Sequence, residues 1–290
     1  MFKYKGKEYN VVVCTPAGRK KYLEIFKRFI HRKMEEGVVD EWQLWVNTVD
    51  EGDLEYLAQM EAENSKVKRY FLEDRNIVPS WDSYDALRTH EFFLNCHDDN
   101  TIYIRFDDDI IWCADDAIEK IVMARIDNPE AFLIYPNIIN STICTSWHQE
   151  SGVLSLEAGK VKFQSENDGD PNYAYLDAFN YSDSKLIDHI HDTFRKNYEE
   201  GTLDAYHLPS RSLDNYQRFS ICSIAWWGKD KIVPGRIEEP QLAYEMPDLF
   251  KRPVFFCGDA LMVHYSYHTQ RPYLTEQGDT HLKFYDKIVK

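Results

Sequence analysis

The sequence Thr-Ile-Tyr-Ile-Arg-Phe-Asp-Asp-Asp-Ile-Ile-Trp, at residues 101–112, decides the fold of this chain. In its first half, apolar residues alternate with Tyr and Arg, and this period of two predicts a strand. Asp107, Asp108 and Asp109 follow at the end of that strand. Adjacent carboxylates repel one another, and a plain turn favours Asn, Gly or Ser. The triplet therefore predicts a bound cation.

A divalent metal is the simplest cation for this position. An extended chain points Asp107 and Asp109 to the same side, with Asp108 facing the other way. Two such oxygen ligands suit Mn²⁺ or Mg²⁺ and leave positions for phosphate oxygens. Acid triplets in loops are more often solvated surface, so the motif alone does not decide. Ligands bind at the carboxyl ends of strands in open α/β sheets, so the remaining elements decide between the two interpretations.

Most of the first half of the chain alternates predicted strands with predicted helices. Strands are predicted at 9–14, 42–46 and 67–72, with a helix after each of the first two and a further helix at 81–94. Another apolar strand is predicted at 131–139. This order predicts a doubly wound, mostly parallel α/β sheet.

The first predicted strand is followed by the segment Thr15, Pro16, Ala17, Gly18 and Arg19. Its backbone N–H groups lie where a nucleotide binds in such sheets, although an ordinary turn between strand and helix explains them equally well. The sequence leaves both interpretations open.

Two further helices are predicted with particular polar residues. Asp116 and Glu119 have the spacing of a capping box at the start of one helix. The helix predicted at 182–200 has a buried apolar stripe, with His189 and His191 expected to face solvent. The region around this second helix is predicted to be an elaboration that shapes a substrate pocket.

The last part of the chain predicts more strands. An aromatic-rich strand is predicted at 219–227, and 254–267 predicts a strand, a turn at 258–259 and a second strand. His264 lies in that second strand, where a lone histidine between apolar residues is usually part of the core.

Composition limits the class of function. The formal net charge of -15 argues against binding to long nucleic acids or anionic membranes, which requires a basic surface. The 43% hydrophobic content supports a real core. Six cysteines without a Cys-x-x-Cys pair predict buried, reduced thiols, not a zinc site or a disulfide framework.

Targeting signals are not evident in the sequence. No stretch approaches the ~18 uninterrupted apolar residues of a membrane span, and the first residues lack the apolar core of a secretion signal. We therefore expect a cytoplasmic protein without a membrane span.

Residues 105–109, Arg-Phe-Asp-Asp-Asp, resemble the Asp-x-Asp hallmark of the GT-A class of nucleotide-sugar-dependent glycosyltransferases. The likeness covers the element order of 9–140, the pair Glu238 and Glu239, and the strand of His264. The chain is similar to the small soluble glycosyltransferases of bacteria and algal viruses. The resemblance implies one GT-A-like domain, 1–290, with a nucleotide-binding half, 1–140, and an acceptor-binding half, 141–290.

The resemblance also implies roles for particular residues. Asp107 approaches the donor ribose and the metal, Asp109 is the main metal ligand, and His264 completes the metal site. The first loop borders the nucleoside, and acids after the second and third strands lie near the base or ribose. The implied nucleotide-binding residues are Thr15, Pro16, Ala17, Arg19, Asp50, Asp74, Asp107 and Asp108.

Glu238 or Glu239 is the candidate general base, because inverting members of the class carry an acid near a helix start. The sequence does not decide between them, and acids at that position also simply complement the helix dipole. The class more often has Asp at this position. Asp259 is a reserve candidate, a retaining mechanism stays open, and Arg271 is a candidate for the diphosphate or a surface residue.

The predicted function is metal-dependent transfer of a sugar from a nucleoside-diphosphate sugar to a hydroxyl of a glycan or another acceptor, with inversion. UDP is the expected nucleotide because it is the commonest in the class. A sugar-phosphate nucleotidyltransferase uses a similar sheet and acids, but usually has a Gly-rich, Arg- or Lys-containing phosphate loop, which the first loop matches poorly. A non-catalytic carbohydrate-binding protein is the third possibility. The sequence does not indicate an oligomeric state.

Overall fold

The computed structural model describes residues 1–71, 93–159, 161, 163–165, 174–176, 184–213, 219–234 and 238–290. Nearly all of the helix predicted at 81–94, together with Asp74, lies outside the described residues. The described part has a mixed α/β fold. None of its helices is long and apolar enough to cross a bilayer.

Twelve strands occur in the described part, ten in one large sheet and two in a separate hairpin. The strand Lys7–Ala17 contains the apolar run predicted at 9–14. With 11 residues it is the longest strand near the amino terminus. The strands are β1 Phe2–Tyr4, β2 Lys7–Ala17, β3 Glu41–Val46, β4 Val67–Phe71, β5 Thr101–Phe106, β6 Ile110–Cys113, β7 Ile134–Ile139, β8 Phe163–Ser165, β9 Ala174–Leu176, β10 Arg211–Leu213, β11 Ser223–Trp227 and β12 Val254–His264.

The helices lie mostly between these strands. Short 3₁₀ segments occur at Leu203–Tyr206 and Gly228–Asp230, and a π-helical turn at Gln241–Glu245 joins two short α-helices. The α-helices are α1 Lys20–Glu35, α2 Glu51–Glu63, α3 Ala117–Asp127, α4 Thr142–Glu150, α5 Ser184–Glu200, α6 Glu238–Pro240, α7 Met246–Phe250, α8 Arg271–Glu276 and α9 Thr280–Ile288.

The large sheet has the order β4-β3-β2-β5-β11-β7-β12-β10, with β1 paired to β2 and β6 paired to β12. Strands β4, β3, β2 and β5 are parallel neighbours, as are β7 and β12. Strand β11 lies antiparallel between β5 and β7. The predicted doubly wound, mostly parallel α/β sheet is confirmed. Consequently β2, β5, β7 and β12 all end at the same edge.

The sheet separates two hydrophobic cores. In β2, Val11 and Val13 belong to the core that includes α1, while Val12 and Cys14 belong to the core on the opposite face. A strand buried on both faces has an almost continuous apolar run, which is why residues 9–14 predict a strand so clearly. All six cysteines are buried and unpaired, as predicted.

The first loop is shorter than predicted. Strand β2 continues through Thr15, Pro16 and Ala17, which pair with β3. The proline is tolerated because pairing between β2 and β5 ends at Cys14, so only one neighbouring strand remains at position 16. The connection to α1 is therefore only Gly18 and Arg19.

The strand, turn and strand predicted at 254–267 is wrong. Strand β12 runs in one direction from Val254 to His264, and its register against β7 shifts between Cys257 and Leu261. The residues of the predicted turn form this irregularity. Gly258 is required there, because a Cβ at its position would overlap the backbone carbonyl oxygen of Leu208.

Two predictions about polar side chains are also wrong. His191 is buried, and its ring contacts the Tyr285 hydroxyl and the Tyr265 carbonyl oxygen, each at 3.0 Å. It lies four residues after Ile187 and therefore on the buried face of α5. Asp116 is at the N-cap of α3 but makes no side-chain capping hydrogen bond. The predicted partner in that capping box, Glu119, instead forms an ion pair with Lys33.

Replacing Gly258 with alanine should lower the free energy of unfolding by about 1–3 kcal/mol or more, because the added methyl group must displace backbone atoms. Urea denaturation measures this change. Gly52→Ala is the matched control in the first turn of α2, where a Cβ meets only the Asp50 carboxylate, at 3.2 Å. That variant should be neutral or more stable. Equal stability of the two variants would contradict the close packing at Gly258.

Candidate functional site

The three aspartates lie in a tight turn at the carboxyl end of β5. The strand ends at Phe106, and the Ile110 N–H donates to the Asp107 carbonyl oxygen at 3.0 Å. The chain is therefore not extended through the triplet. Alternation does not apply, and the expectation that Asp108 faces away from Asp109 is wrong, because both contact Arg19.

Asp108 ties this turn to the first loop. Its carboxylate accepts hydrogen bonds from the Gly18 N–H at 3.0 Å and the Arg19 Nε at 2.8 Å, and it also pairs with Arg19 Nη2. A side chain is disfavoured at position 18, because a Cβ there would lie 2.7 Å from the Asn47 carbonyl oxygen. Asp108 is buried and both of its oxygens have partners. The contacts explain it as a structural link between β5 and α1.

Asp109 is the centre of the site. It is 1% exposed, and its Oδ2 lies 2.9 Å from Arg19 Nη1 and 3.1 Å from Arg271 Nη2. Its Oδ1 lies 3.4 Å from the Nε2 of His264. Burial alone would raise the pKa of this carboxyl, but the charges of Arg19 and Arg271 outweigh burial and lower the pKa. Asp109 is therefore ionised at neutral pH.

The ring of His264 has a defined orientation. Its Nδ1 lies 3.3 Å from the carbonyl oxygen of Asn140, which only accepts hydrogen bonds, so Nδ1 carries a proton. In the neutral ring the Nε2 lone pair then faces Asp109 Oδ1. That oxygen is buried and has no hydrogen-bond partner in the described part of the chain. A proton or a metal ion between the two atoms would relieve the repulsion of their lone pairs.

Asp109 and His264 provide two of the ligand atoms that a divalent metal needs. Within the described residues, no group of three or more His, Cys, Asp or Glu side chains is arranged to hold a metal ion. Asp109 and His264 supply two ligand atoms that face each other. Mg²⁺ and related ions in phosphate-transfer sites often use one or two protein ligands and take the others from phosphates and water. The donor set thus fits a metal that binds together with a phosphate ligand.

Asp107 has a different environment. Its Oδ1 accepts a hydrogen bond from Arg105 Nε at 2.8 Å, and its backbone N–H donates to the Cys222 carbonyl oxygen. Its side chain is 26% exposed, more than that of either other aspartate. Burial raises the pKa of this carboxyl although Arg105 opposes the change. Asp107 is thus the member of the triplet with most access to solvent.

Of the other residues predicted for the nucleotide, three are buried and Asp50 is exposed. Thr15, Pro16 and Ala17 are buried in β2, and the Thr15 hydroxyl accepts a hydrogen bond from Trp42 Nε1 at 2.9 Å. Asp50 caps α2 by accepting from the Asp53 N–H. Burial and helix capping explain these residues without a ligand.

The candidate bases are only partly described. Glu239 is half-buried in α6. Burial of Tyr135 on β7 raises the pKa of that tyrosine, and the negative charge of Glu239 raises it further. The side chain of Glu238 lies outside the described part. Asp259 pairs with Lys120 of α3, five residues before His264 along β12, and so roughly 15 Å from that end of the strand. The structure does not bring Asp259 to the aspartate turn.

Three buried residues of this site were not predicted from the sequence: Arg105, Asn140 and Gln270. Arg105 alternates as a strand residue should, and its Nε donates to Oδ1 of Asp107, two residues later. Asn140 follows directly after a strand with φ +61°, a conformation that Asn tolerates better than most residues. Of these three residues, Asn140 is the one that a local pattern could have indicated, because an Asn directly after a strand is typical of a residue with positive φ.

Comparisons with known proteins add little to this geometry. No protein-family model matches the chain, and no curated protein matches it. The chain is similar to two solved structures that both bear the name 4-diphosphocytidyl-2C-methyl-D-erythritol synthase. The one from Anaerococcus prevotii is 12% identical over 91% of each chain, with a TM-score of 0.40. The other is 11% identical over 44% of this chain and 59% of its own, with a TM-score of 0.31. At these TM-scores the likeness carries no argument about the reaction.

Replacing Asp108 with asparagine should lower the free energy of unfolding by about 1–3 kcal/mol, because a charged acceptor of buried hydrogen bonds is lost. Urea denaturation measures this. Asp127→Asn is the control: this more exposed carboxylate pairs with Lys5 on the surface, and its loss should change stability little. If Asp108→Asn were as stable as the wild type but no longer bound nucleotide, its structural assignment would be wrong.

Proposed function

We propose that the protein is a metal-dependent glycosyltransferase that moves a sugar from a nucleoside-diphosphate sugar to an acceptor hydroxyl. One observation carries the proposal: Asp109, His264, Arg19 and Arg271 converge at the edge where the parallel strands end. We assign nucleotide binding to 1–140 and acceptor binding to 141–290.

The charges at this edge suit a diphosphate. Arg19 and Arg271 both approach Asp109 Oδ2, and their side chains are 25% and 23% exposed. They are therefore held at the surface of the site and not within the core. A guanidinium group matches phosphate oxygens well, so we assign both arginines to the donor diphosphate.

The protein's own groups divide the remaining tasks. Asp109 and His264 would hold Mn²⁺ or Mg²⁺, and the bound ion would supply a Lewis acid for the charge on the leaving diphosphate. Arg105 holds Oδ1 of Asp107, and we assign that more exposed carboxylate to the donor ribose. Glu239 or Glu238 accepts the proton of the acceptor hydroxyl in an inverting transfer.

Nucleotidyl transfer is the second candidate. It is favoured by Arg19, a cationic side chain that the first loop places against the aspartates. The length of that loop disfavours it. Only Gly18 and Arg19 connect β2 to α1, whereas nucleotidyltransferases usually bind the triphosphate with a longer Gly-rich loop.

Product analysis distinguishes these reactions. The purified protein is incubated with Mn²⁺ and a panel of sugar nucleotides, beginning with UDP-sugars, or with nucleoside triphosphates and sugar phosphates. Release of nucleoside diphosphate from a sugar nucleotide supports glycosyl transfer. Release of pyrophosphate from a triphosphate supports nucleotidyl transfer, and the absence of both products supports a carbohydrate-binding protein.

Removal of the metal should abolish turnover. Chelation of divalent ions should stop the reaction, and added Mn²⁺ should restore it. Asp109→Ala and His264→Gln should each reduce kcat by at least about 100-fold, because the lost ligand stabilised the leaving group. Steady-state kinetics and circular dichroism test this together. A folded Asp109→Ala protein with near-normal, metal-dependent rates would remove the metal assignment.

The general base is tested with Glu239→Gln and Glu238→Gln. The variant of the true base should lose about 10²–10⁴-fold in kcat while its KM for the donor changes little, since the base acts on the acceptor. The other variant is the matched control. If neither glutamine reduced kcat, the assigned base would be wrong and a retaining mechanism would gain support.

A further inference from the structure

We propose that Asn140 and Gln270 form an amide clamp that holds His264 and Arg271 around Asp109 and sets the ring nitrogen that His264 presents to it. This inference deepens the proposed function and rests on it where metal binding is concerned. Neither residue touches the reacting groups, so both are positioning residues.

The amide clamp is a reciprocal pair of hydrogen bonds between two buried side chains. Asn140 Nδ2 donates to Gln270 Oε1 at 2.9 Å, and Gln270 Nε2 donates to Asn140 Oδ1 at 3.1 Å. Both residues are 1% exposed. Buried amides of this kind are costly unless each is paired, so one side chain requires the other.

The amide clamp joins three segments of the chain that supply the site. Asn140 follows β7 and Gln270 precedes α8, whose first residue is Arg271. Asn140 Nδ2 also donates to the Tyr265 carbonyl oxygen at 3.0 Å, and the Tyr265 N–H donates to the Asp109 carbonyl oxygen at 2.8 Å. Gln270 Oε1 further accepts from the Tyr267 N–H at 2.9 Å. The backbone on both sides of Ser266 is thereby held against the aspartate turn.

The backbone of Asn140 has a separate effect on His264. Its positive φ of 61° turns the carbonyl oxygen toward the Nδ1 of the imidazole. This contact keeps the proton on Nδ1 and leaves Nε2 as the atom that faces Asp109. A residue that avoids positive φ would redirect the carbonyl group and release the ring.

If Asn140 had only a structural role, its loss would not change the tautomer of the His264 ring. Asn137 provides the comparison within the same strand, because it is also fully buried and its amide also donates two hydrogen bonds, to the carbonyl oxygens of Tyr206 and Gly258. Its partners lie away from Asp109. Loss of either asparagine should therefore cost stability, but only loss of Asn140 should change the behaviour of His264.

The test compares Asn140→Ala, Asn140→Gly, Gln270→Ala and the control Asn137→Ala. Two readouts are used: Mn²⁺ affinity by electron paramagnetic resonance in the presence of UDP, and the ¹⁵N NMR shifts of the His264 ring in the metal-free protein, assigned with His264→Gln. Melting temperatures show whether each variant is folded. Asn140→Gly keeps the positive φ and so separates the carbonyl contact from the side-chain pair.

The wild type should show the Nδ1-protonated ring. Asn140→Ala and Gln270→Ala should bind Mn²⁺ about 10–100-fold more weakly, the range for lost second-shell contacts. Asn140→Ala should also mix the two ring tautomers, whereas Asn140→Gly should keep the Nδ1-protonated ring. Asn137→Ala should lower the melting temperature without changing either readout.

The outcomes separate the two proposals. Unchanged Mn²⁺ affinity and an unchanged ring in folded Asn140→Ala and Gln270→Ala would overturn the amide clamp. Equal losses of affinity in Asn137→Ala would do the same, because they would show a general effect of stability. If the wild type bound no Mn²⁺, the proposed function would fail, and the ring tautomer alone would still decide whether the amide clamp orients His264.

Discussion

The crowding of three adjacent carboxylates, two of them buried, is the constraint on which this edge of the sheet depends. Charged groups out of water are stable only when paired, and each aspartate here contacts at least one arginine. The arginines come from different segments: Arg105 from β5, Arg19 from the first loop and Arg271 from the start of α8. Neutralising the triplet therefore brings together the ends of distant parts of the chain.

The three carboxylates are alike in chemistry but differ in what remains available to a ligand. Asp108 has partners on both oxygens, and Asp107 has one oxygen bound to Arg105. Asp109 keeps a buried oxygen that faces the His264 ring nitrogen and has no hydrogen-bond partner among the described residues. Environment thus gives one acid a structural role and leaves another with an oxygen that a ligand could use, because neighbouring carboxylates here have different partners.

Local patterns predicted the elements of the fold better than their connections. The apolar runs of β2, β3 and β5 and the apolar stripes of α1 and α5 are strong signals, because each is buried over most of its length. The position of β11 between β5 and β7 has no local signal, since strand order depends on contacts between residues far apart in sequence. At the irregularity in β12 the sequence predicts a turn, because Gly followed by Asp is typical both of turns and of irregular positions within a strand.

By itself the sequence determined the α/β class and the strand that ends in the aspartates, whereas His264 became a candidate only through the resemblance to the GT-A class. It determined these because periodicity and residue type are local properties. Only the tertiary structure decided that both oxygens of Asp108 accept hydrogen bonds from Gly18 and Arg19. It likewise decided that Thr15 to Ala17 are buried in a strand and that the Asn140 carbonyl oxygen contacts the His264 ring. Those outcomes depend on which buried polar groups meet across the sheet edge, and each must find its partner once water is excluded.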